Sequence, residues 1–346
     1  MAEYENPMQS IGYINQDFQT IYPQLLDLTK ELTDKWDPSQ SNESDPLVVL
    51  IKEMAIIADK LHYALNKEGL ENFPESVTQL ANARELFDQG GYTMQWYIGA
   101  TGEVYLRWID TEAEGETFTI PIFTMLSDED ADKIYTTTRQ VVLDKSGVIS
   151  EPVEIIQGTV HDYEINGNGL ITPQNLDEEN RLYFRDYNIA ENGIFIRNDG
   201  SEDWFAWKAV DNLYTYKYGE KIFKFGVIQD NSTCYIEFPE YAGDIIGGGI
   251  HIKYILTDGS NGNIKANTLV QFYDGAEATY ADENNNEKTI ALNTDNVSVI
   301  QNSSILTGYD PESISSAYKN FKKTAGTFNT LVSLIDYNDY LNLEGV

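Results

Sequence analysis

Apolar residues recur every three or four positions near both ends of the chain and alternate with polar ones through its middle. From Ile21 to Trp36, the apolar residues Leu25, Leu28, Leu32 and Trp36 predict a short amphipathic helix closed by Asp37-Pro38. The stretch Ser39–Ser44 reads as a loop. Asp45 then offers an N-cap and Pro46 suits the first helical position. Leu47, Leu50/Ile51, Met54, Ile57/Ala58, Leu61 and Leu65 form one stripe, with Gly69 expected in the left-handed position after the helix. A second helix is expected from about Pro74, through Val77, Leu80, Ala81, Arg84 and Phe87, to Gly90-Gly91.

After Gly91 the period falls to two. Val104, Leu106 and Trp108 alternate with their neighbours, as do Phe118, Ile120 and Ile122. Further short strands are expected around 134–143, 153–165, 181–185, 193–197, 204–210, 213–217, 221–228, 233–238, 250–256 and 268–273. Turn signals such as Asn192-Gly193, Asp199-Gly200 and Asp258-Gly259 separate them. No fixed repeat accompanies them, which argues against a propeller or solenoid. Helical spacing returns with Asp310-Pro311, where Ile314, Ala317/Tyr318 and Phe321 share a face; Ser333 and Asp336 then resemble a capping box. The class expected is α+β: an N-terminal arm (1–44), a helical hairpin (45–91), an antiparallel sandwich-like region (92–305) and a C-terminal helical segment (306–346).

Charge narrows the partners. Twenty-three basic residues against 56 acidic ones leave −33, so phosphate backbones and anionic membranes repel the chain, and neither nucleic acid nor membrane insertion is expected. The first ten residues lack the basic and apolar regions of a secretory signal, and no apolar run is long enough to span a bilayer. Cys234 is the sole cysteine, so neither an intramolecular disulfide nor a cysteine metal cluster is expected.

Candidate chemistry is sparse. The acidic runs Asp128–Asp132 and Asp282–Glu287 are rich in metal-ligand types. Lys133 and Glu287 stand where a calcium loop needs glycine, and Arg139 and Asn293 stand where it needs the closing carboxylate, so solvated loops and no metal are expected. Fifty-six acids always allow a carboxylate pair for glycoside hydrolysis, but no motif marks one. No G-x-S-x-G elbow accompanies His62, His161 or His251. Gly247-Gly248-Gly249 leads into a strand, not the helix that a phosphate cradle requires. Trp204, Phe205, Trp207, Tyr214, Tyr216 and Tyr218 cluster in one stretch. Alternation should turn half of them outward, which makes a carbohydrate-binding tail or surface protein the alternative reading.

Taken in order, several segments resemble the baseplate J-like family, the wedge proteins of contractile phage tails and related injection machines. They are Asp45-Pro46-Leu47 with the helix after it, Gly91-Tyr92, Gly99-Ala100-Thr101-Gly102 and Gln157-Gly158-Thr159-Val160. The Trp204/Trp207 strand, Cys234–Phe238, Ile250–Tyr254, Asp258–Ile264, Gly308–Ile314 and Leu331–Leu341 with Asp336-Tyr337 complete the set. The similarity covers about residues 40–342.

The resemblance implies a non-enzymatic structural subunit without cofactor. It would be assembled in the host cytoplasm into the virion's tail baseplate, form the ring around the tail hub and transmit the rearrangement that triggers sheath contraction. Implied partners are other wedge subunits, a second copy in each wedge, neighbouring wedges, and sheath-initiator and hub proteins. One hairpin cannot cover both its apolar faces, so Leu50, Met54, Ile57, Leu61 and Leu65 are expected to enter a helix bundle with another chain. Ile314, Tyr318, Phe321, Leu334 and Tyr337 must dock on the β domain of the same chain or on the next subunit, and the second is expected because the family connects through this end. Family members commonly continue past this helix into another small domain, whereas this chain ends at Val346. The contacts made through that domain are therefore expected to be supplied by another protein.

Overall fold

The computed structural model describes residues 17–32 and 44–327, apart from 166, 229–232, 274 and 283. Its helices are Phe18–Leu32 (α1), Pro46–Glu71 (α2), Leu80–Gln89 (α3), Ala242–Ile246 (α4) and Ile314–Thr327 (α5). The strands begin with Thr101–Trp108 (β1), Thr117–Ile120 (β2), Met125–Ser127 (β3), Ile134–Thr137 (β4), Val141–Asp144 (β5), Val153–Gln157 (β6) and Thr159–Asp162 (β7). Arg181–Tyr183 (β8), Ile189–Asn198 (β9), Lys208–Ala209 (β10), Ile222–Val227 (β11), Cys234–Glu237 (β12) and Ile250–Leu256 (β13) follow. Gln271–Phe272 (β14), Glu277–Ala281 (β15), Glu287–Ala291 (β16) and Val297–Ile300 (β17) complete the set. The fold is α+β, with helices before and after a central antiparallel region.

The chain divides into two units. One comprises the residues up to Tyr92 together with those from Ile314; the other is Thr93–Ser313. In the helical unit, α1 starts earlier than the apolar spacing suggests. Asp17 accepts from Thr20 N at 2.9 Å while Thr20 Oγ1 accepts from Asp17 N at 2.9 Å, a reciprocal cap. Residues 33–43, where the expected stop falls, lie outside the described residues. Asp45 caps α2 by accepting from Leu47 N at 2.9 Å, with Pro46 at its first position as expected.

The end of α2 departs from expectation. Gly69 lies within the helix, which runs to Glu71 and is closed by Asn72. Asn72 Nδ2 donates to Glu68 O and Ser76 Oγ to Leu70 O, satisfying carbonyls that a left-handed glycine would otherwise have served. Residues 72–79 form a turn, so α3 begins at Leu80, not near Pro74. Val48, Ile51 and Ala55 form the buried face of α2, which packs on α1, and α3 packs on α5.

Two large cores and a smaller cluster around Phe123, Phe195 and Trp204 organise the β unit. A six-stranded sheet, β14-β3-β4-β6-β1-β17, and a four-stranded sheet, β16-β15-β2-β5, share Val104, Leu106, Trp108, Phe118, Ile120 and Leu143. These are the inward positions of the predicted alternation, and the Trp108 and Phe118 rings stack across the interior at 3.5 Å. The other core, with Ile194, Ile196, Phe223, Ile236, Ile252 and α4, lies among the sheets β7-β13-β9 and β10-β11-β12-β8. Every strand pair is antiparallel except the two-residue β10–β11 contact. Residues 213–217 do not form the expected strand: Asn212 accepts from Tyr214 N at 2.9 Å and turns the chain into a single 3₁₀ turn, Leu213–Thr215. Among the described residues, no helix is long and apolar enough to cross a membrane.

Candidate interaction surfaces

A long exposed apolar row lies on α2. Leu50, Met54, Ile57, Leu61 and Leu65 are 50–58% exposed in the isolated chain, and Leu47, Val49, Ile56 and Tyr63 are exposed beside them, whereas the face of Val48, Ile51 and Ala55 is covered. At 1.5 Å per residue, Leu50 to Leu65 spans roughly 22 Å. Half-exposed side chains of this size would each gain roughly 1 kcal/mol on burial, so the row offers about 4–7 kcal/mol to a partner before association costs. The C-terminal residues behave differently. Ala317 is buried, and Ile314, Tyr318 and Phe321 are half-buried. The Phe321 ring lies 5.0 Å from that of Phe87, and Asn320 Nδ2 reaches Tyr92 Oη at 3.3 Å. Phe321 therefore already has a partner within the chain. Leu334 and Tyr337 lie outside the described residues.

Four segments that carry the family resemblance meet in space. Gln157, almost wholly buried at the end of β6, donates through Nε2 to Asp258 Oδ2 at 2.8 Å; its Oε1 accepts from Asp258 N at 2.9 Å and from Thr257 Oγ1. Its own N–H donates to Ala100 O at 2.8 Å. Asp310 accepts from Ser260 N at 3.1 Å, and Asn263 exchanges hydrogen bonds with Gly308. Tyr135 Oη donates to Gly262 O at 2.7 Å, and burial pushes that hydroxyl's pKa well up. Gly158 has φ +127°, and a Cβ there would stand 2.1 Å from Leu256 O, so only glycine fits. Segments from residue 99 to 310 thus interlock around buried amides.

The acidic loops use their leading aspartates internally. Asp128 Oδ1 accepts from Lys133 N, and Asp282 accepts from the backbone of Asn284 and Asn286. Those backbone donors hold the Asp282 carboxyl below its ordinary pKa, and β15 and β16 pair as a hairpin on either side. No three His, Cys, Asp or Glu residues gather as a metal would need, among the described residues. His161 contacts Thr159 Oγ1 at 3.0 Å and His251 contacts Asp199 Oδ1 at 3.2 Å, while buried Cys234 faces Tyr187 O.

The aromatic stretch splits. Trp204 and Trp207 are buried, and Phe205, Tyr214, Tyr216 and Tyr218 are exposed. The three tyrosines and Tyr241 line a cleft of about 550 Å³ that also takes Glu178, Glu179, Glu237 and Glu240. Tyr218 Oη donates to Asp244, a bond that pushes its pKa up, and its ring lies 4.8 Å from that of Tyr241. Neither the models of known protein families nor the curated proteins give a match to this chain.

Proposed function

We propose that the chain is a structural subunit of the baseplate wedge of a contractile phage tail, joined to its neighbours through α2. The observation that carries this reading is the uncovered row Leu50, Met54, Ile57, Leu61 and Leu65 on a 26-residue helix whose adjacent face is already packed. An apolar row of this length, extended by the exposed Val49, Ile56 and Tyr63 of the same helix, fits a helix bundle with a partner chain. The interlocked segments around Gln157 and Asp310 support it, because the motifs that carry the family resemblance hold one another through hydrogen bonds. Its setting would be the virion baseplate, with a second copy and other wedge subunits as partners.

Co-expression with neighbouring tail proteins tests the proposal. A stable hetero-complex measured by size and mass is expected, and Met54→Asp with Leu61→Asp should abolish it while the β unit stays folded. An unpartnered charge buried in such a contact costs several kcal/mol, as much as the row supplies. Normal assembly of the double variant would remove α2 from the interface.

A further inference from the structure

The cleft beside Tyr214 has a chemistry that the wedge reading does not use. Its walls come from the Leu213–Thr215 turn with Tyr216 and Tyr218, from the end of β12 through Tyr241, and from residues 178–181 before and into β8. Tyr214 is 86% exposed and Tyr218 73%. Asn212 holds the Tyr214 backbone, Asp244 holds the Tyr218 hydroxyl, and Tyr241 Oη donates to Lys217 O at 3.0 Å. The Tyr218 ring is held open to solvent and Tyr214 stands on a fixed backbone, which lowers the ordering cost of receiving a flat partner.

The polar groups of the cleft are one-sided. Arg181 is its one cation among the described residues; its Nε donates to Glu237 Oε2 at 3.0 Å, Glu179 also pairs with it, and it lies over the Tyr235 ring. Glu178 and Glu240 are exposed and make no ion pair among the described residues. What remains is rich in acceptors and aromatic faces and poor in charged donors. A sugar presents both donors and acceptors on each hydroxyl and would find few donors to answer it. A guanidinium has five N–H donors, no acceptor and a planar face that stacks on tyrosine. We propose that this cleft binds an arginine-bearing extended segment of a partner protein, with guanidinium groups on Tyr214 and Tyr216 and against Glu178 and Glu240. The chain's net charge of −33 would draw such a segment in.

The test is calorimetric titration of the full chain with a capped six-residue peptide of alternating arginine and glycine, at about physiological ionic strength. Saturable one-to-one binding is expected. Tyr214→Ser with Tyr216→Ser, which leaves the charge unchanged, should weaken it at least about fivefold. Glu178→Gln with Glu240→Gln should do the same, whereas Glu277→Gln with Glu287→Gln, an equal charge change on the β15–β16 hairpin, should alter it less than about twofold. A lysine–glycine peptide should bind more weakly than the arginine one. If the tyrosine pair lowers the melting temperature, Tyr214→Ser alone replaces it. Absence of saturable binding overturns the proposal. So does equal loss in the hairpin control, no loss in the tyrosine variant, or binding of a cello-oligosaccharide in place of the peptide. These outcomes leave the α2 interface untouched, so the two proposals fail separately.

Discussion

Glu71 stands eight residues before one of the backbone donors it satisfies. Its carboxylate, 3% exposed, accepts from Thr78 N at 3.0 Å, Gln79 N at 2.9 Å and Asn82 Nδ2 at 3.4 Å, and from the Thr78 hydroxyl. Gln79, the residue at the cap position of α3, offers no side-chain bond of its own, so the last residue of α2 supplies the anion that this helix start favours. Burial pushes the Glu71 carboxyl up in pKa, but these hydrogen bonds outweigh it and hold it below the ordinary 4.5. A depressed carboxyl contributes stability that is fully present above its unfolded value and lost as the pH falls through the folded one. Glu71→Gln should therefore lower stability by roughly 1–3 kcal/mol at neutral pH, with the difference from wild type shrinking as the pH falls below about 4.5. Denaturant melts of both proteins at pH 7 and pH 3.5 check this, and an unchanged difference at the two pH values would contradict it. Gln157 plays a similar part in the β unit, where its side-chain amide ties Thr257 and Asp258 while its backbone N–H donates to Ala100 O.

Helices α3 and α5 meet closely enough that Gly90 has no room for a side chain: a Cβ there would stand 2.2 Å from the Phe321 ring. Phe321→Ala should destabilise the helical unit by about 1–3 kcal/mol, less than a fully buried phenylalanine because the ring is half-buried. Loss of α-helical signal at lower temperature, with the β signal unchanged, is the expected melt; an unaltered melt would mean that α5 is held elsewhere. How much of these elements could be read beforehand follows from the range of the interactions that decide them. The start of α2 was legible because Asp45 and Pro46 act within one turn. Its end and the start of α3 were not, because Glu71, Ser76 and Thr78 act across a turn and no short motif marks them. Inward strand positions such as Leu106 and Phe118 followed from alternation, but β15, β16 and β17 were missed: the two members of the hairpin alternate weakly, and their acidic turn drew the eye to metal chemistry instead. Alternation also misplaced residues 213–217, since one asparagine cap there outranks strand propensity. The aromatic cluster was visible as composition; its division was not, because Trp207 is buried by packing with Phe223 and Phe238 and Trp204 with Phe123 and Phe195, contacts distant in sequence.

Charge and apolar surface are distributed unequally over the molecule. The whole chain carries −33, yet α2 holds three lysines against four acids and is nearly neutral. Long-range repulsion therefore keeps copies apart in dilute solution, while the helix that bears the exposed row adds little repulsion of its own at contact. Screening separates the two effects, because raising the salt from about 0.01 to 0.1 M shortens the Debye length from about 30 to about 10 Å and leaves apolar burial intact. Kosmotropic salts strengthen burial further. The purified chain is expected to be monomeric at low salt and to associate as ionic strength rises, measured by sedimentation velocity across a salt series. Met54→Asp with Leu61→Asp should remain monomeric throughout, since it places charge in the middle of the row. Association that is strongest at low salt would mean that opposite charges, not the α2 row, hold copies together. Association that survives the double substitution would place the contact on another face, such as the exposed tyrosines of the β unit.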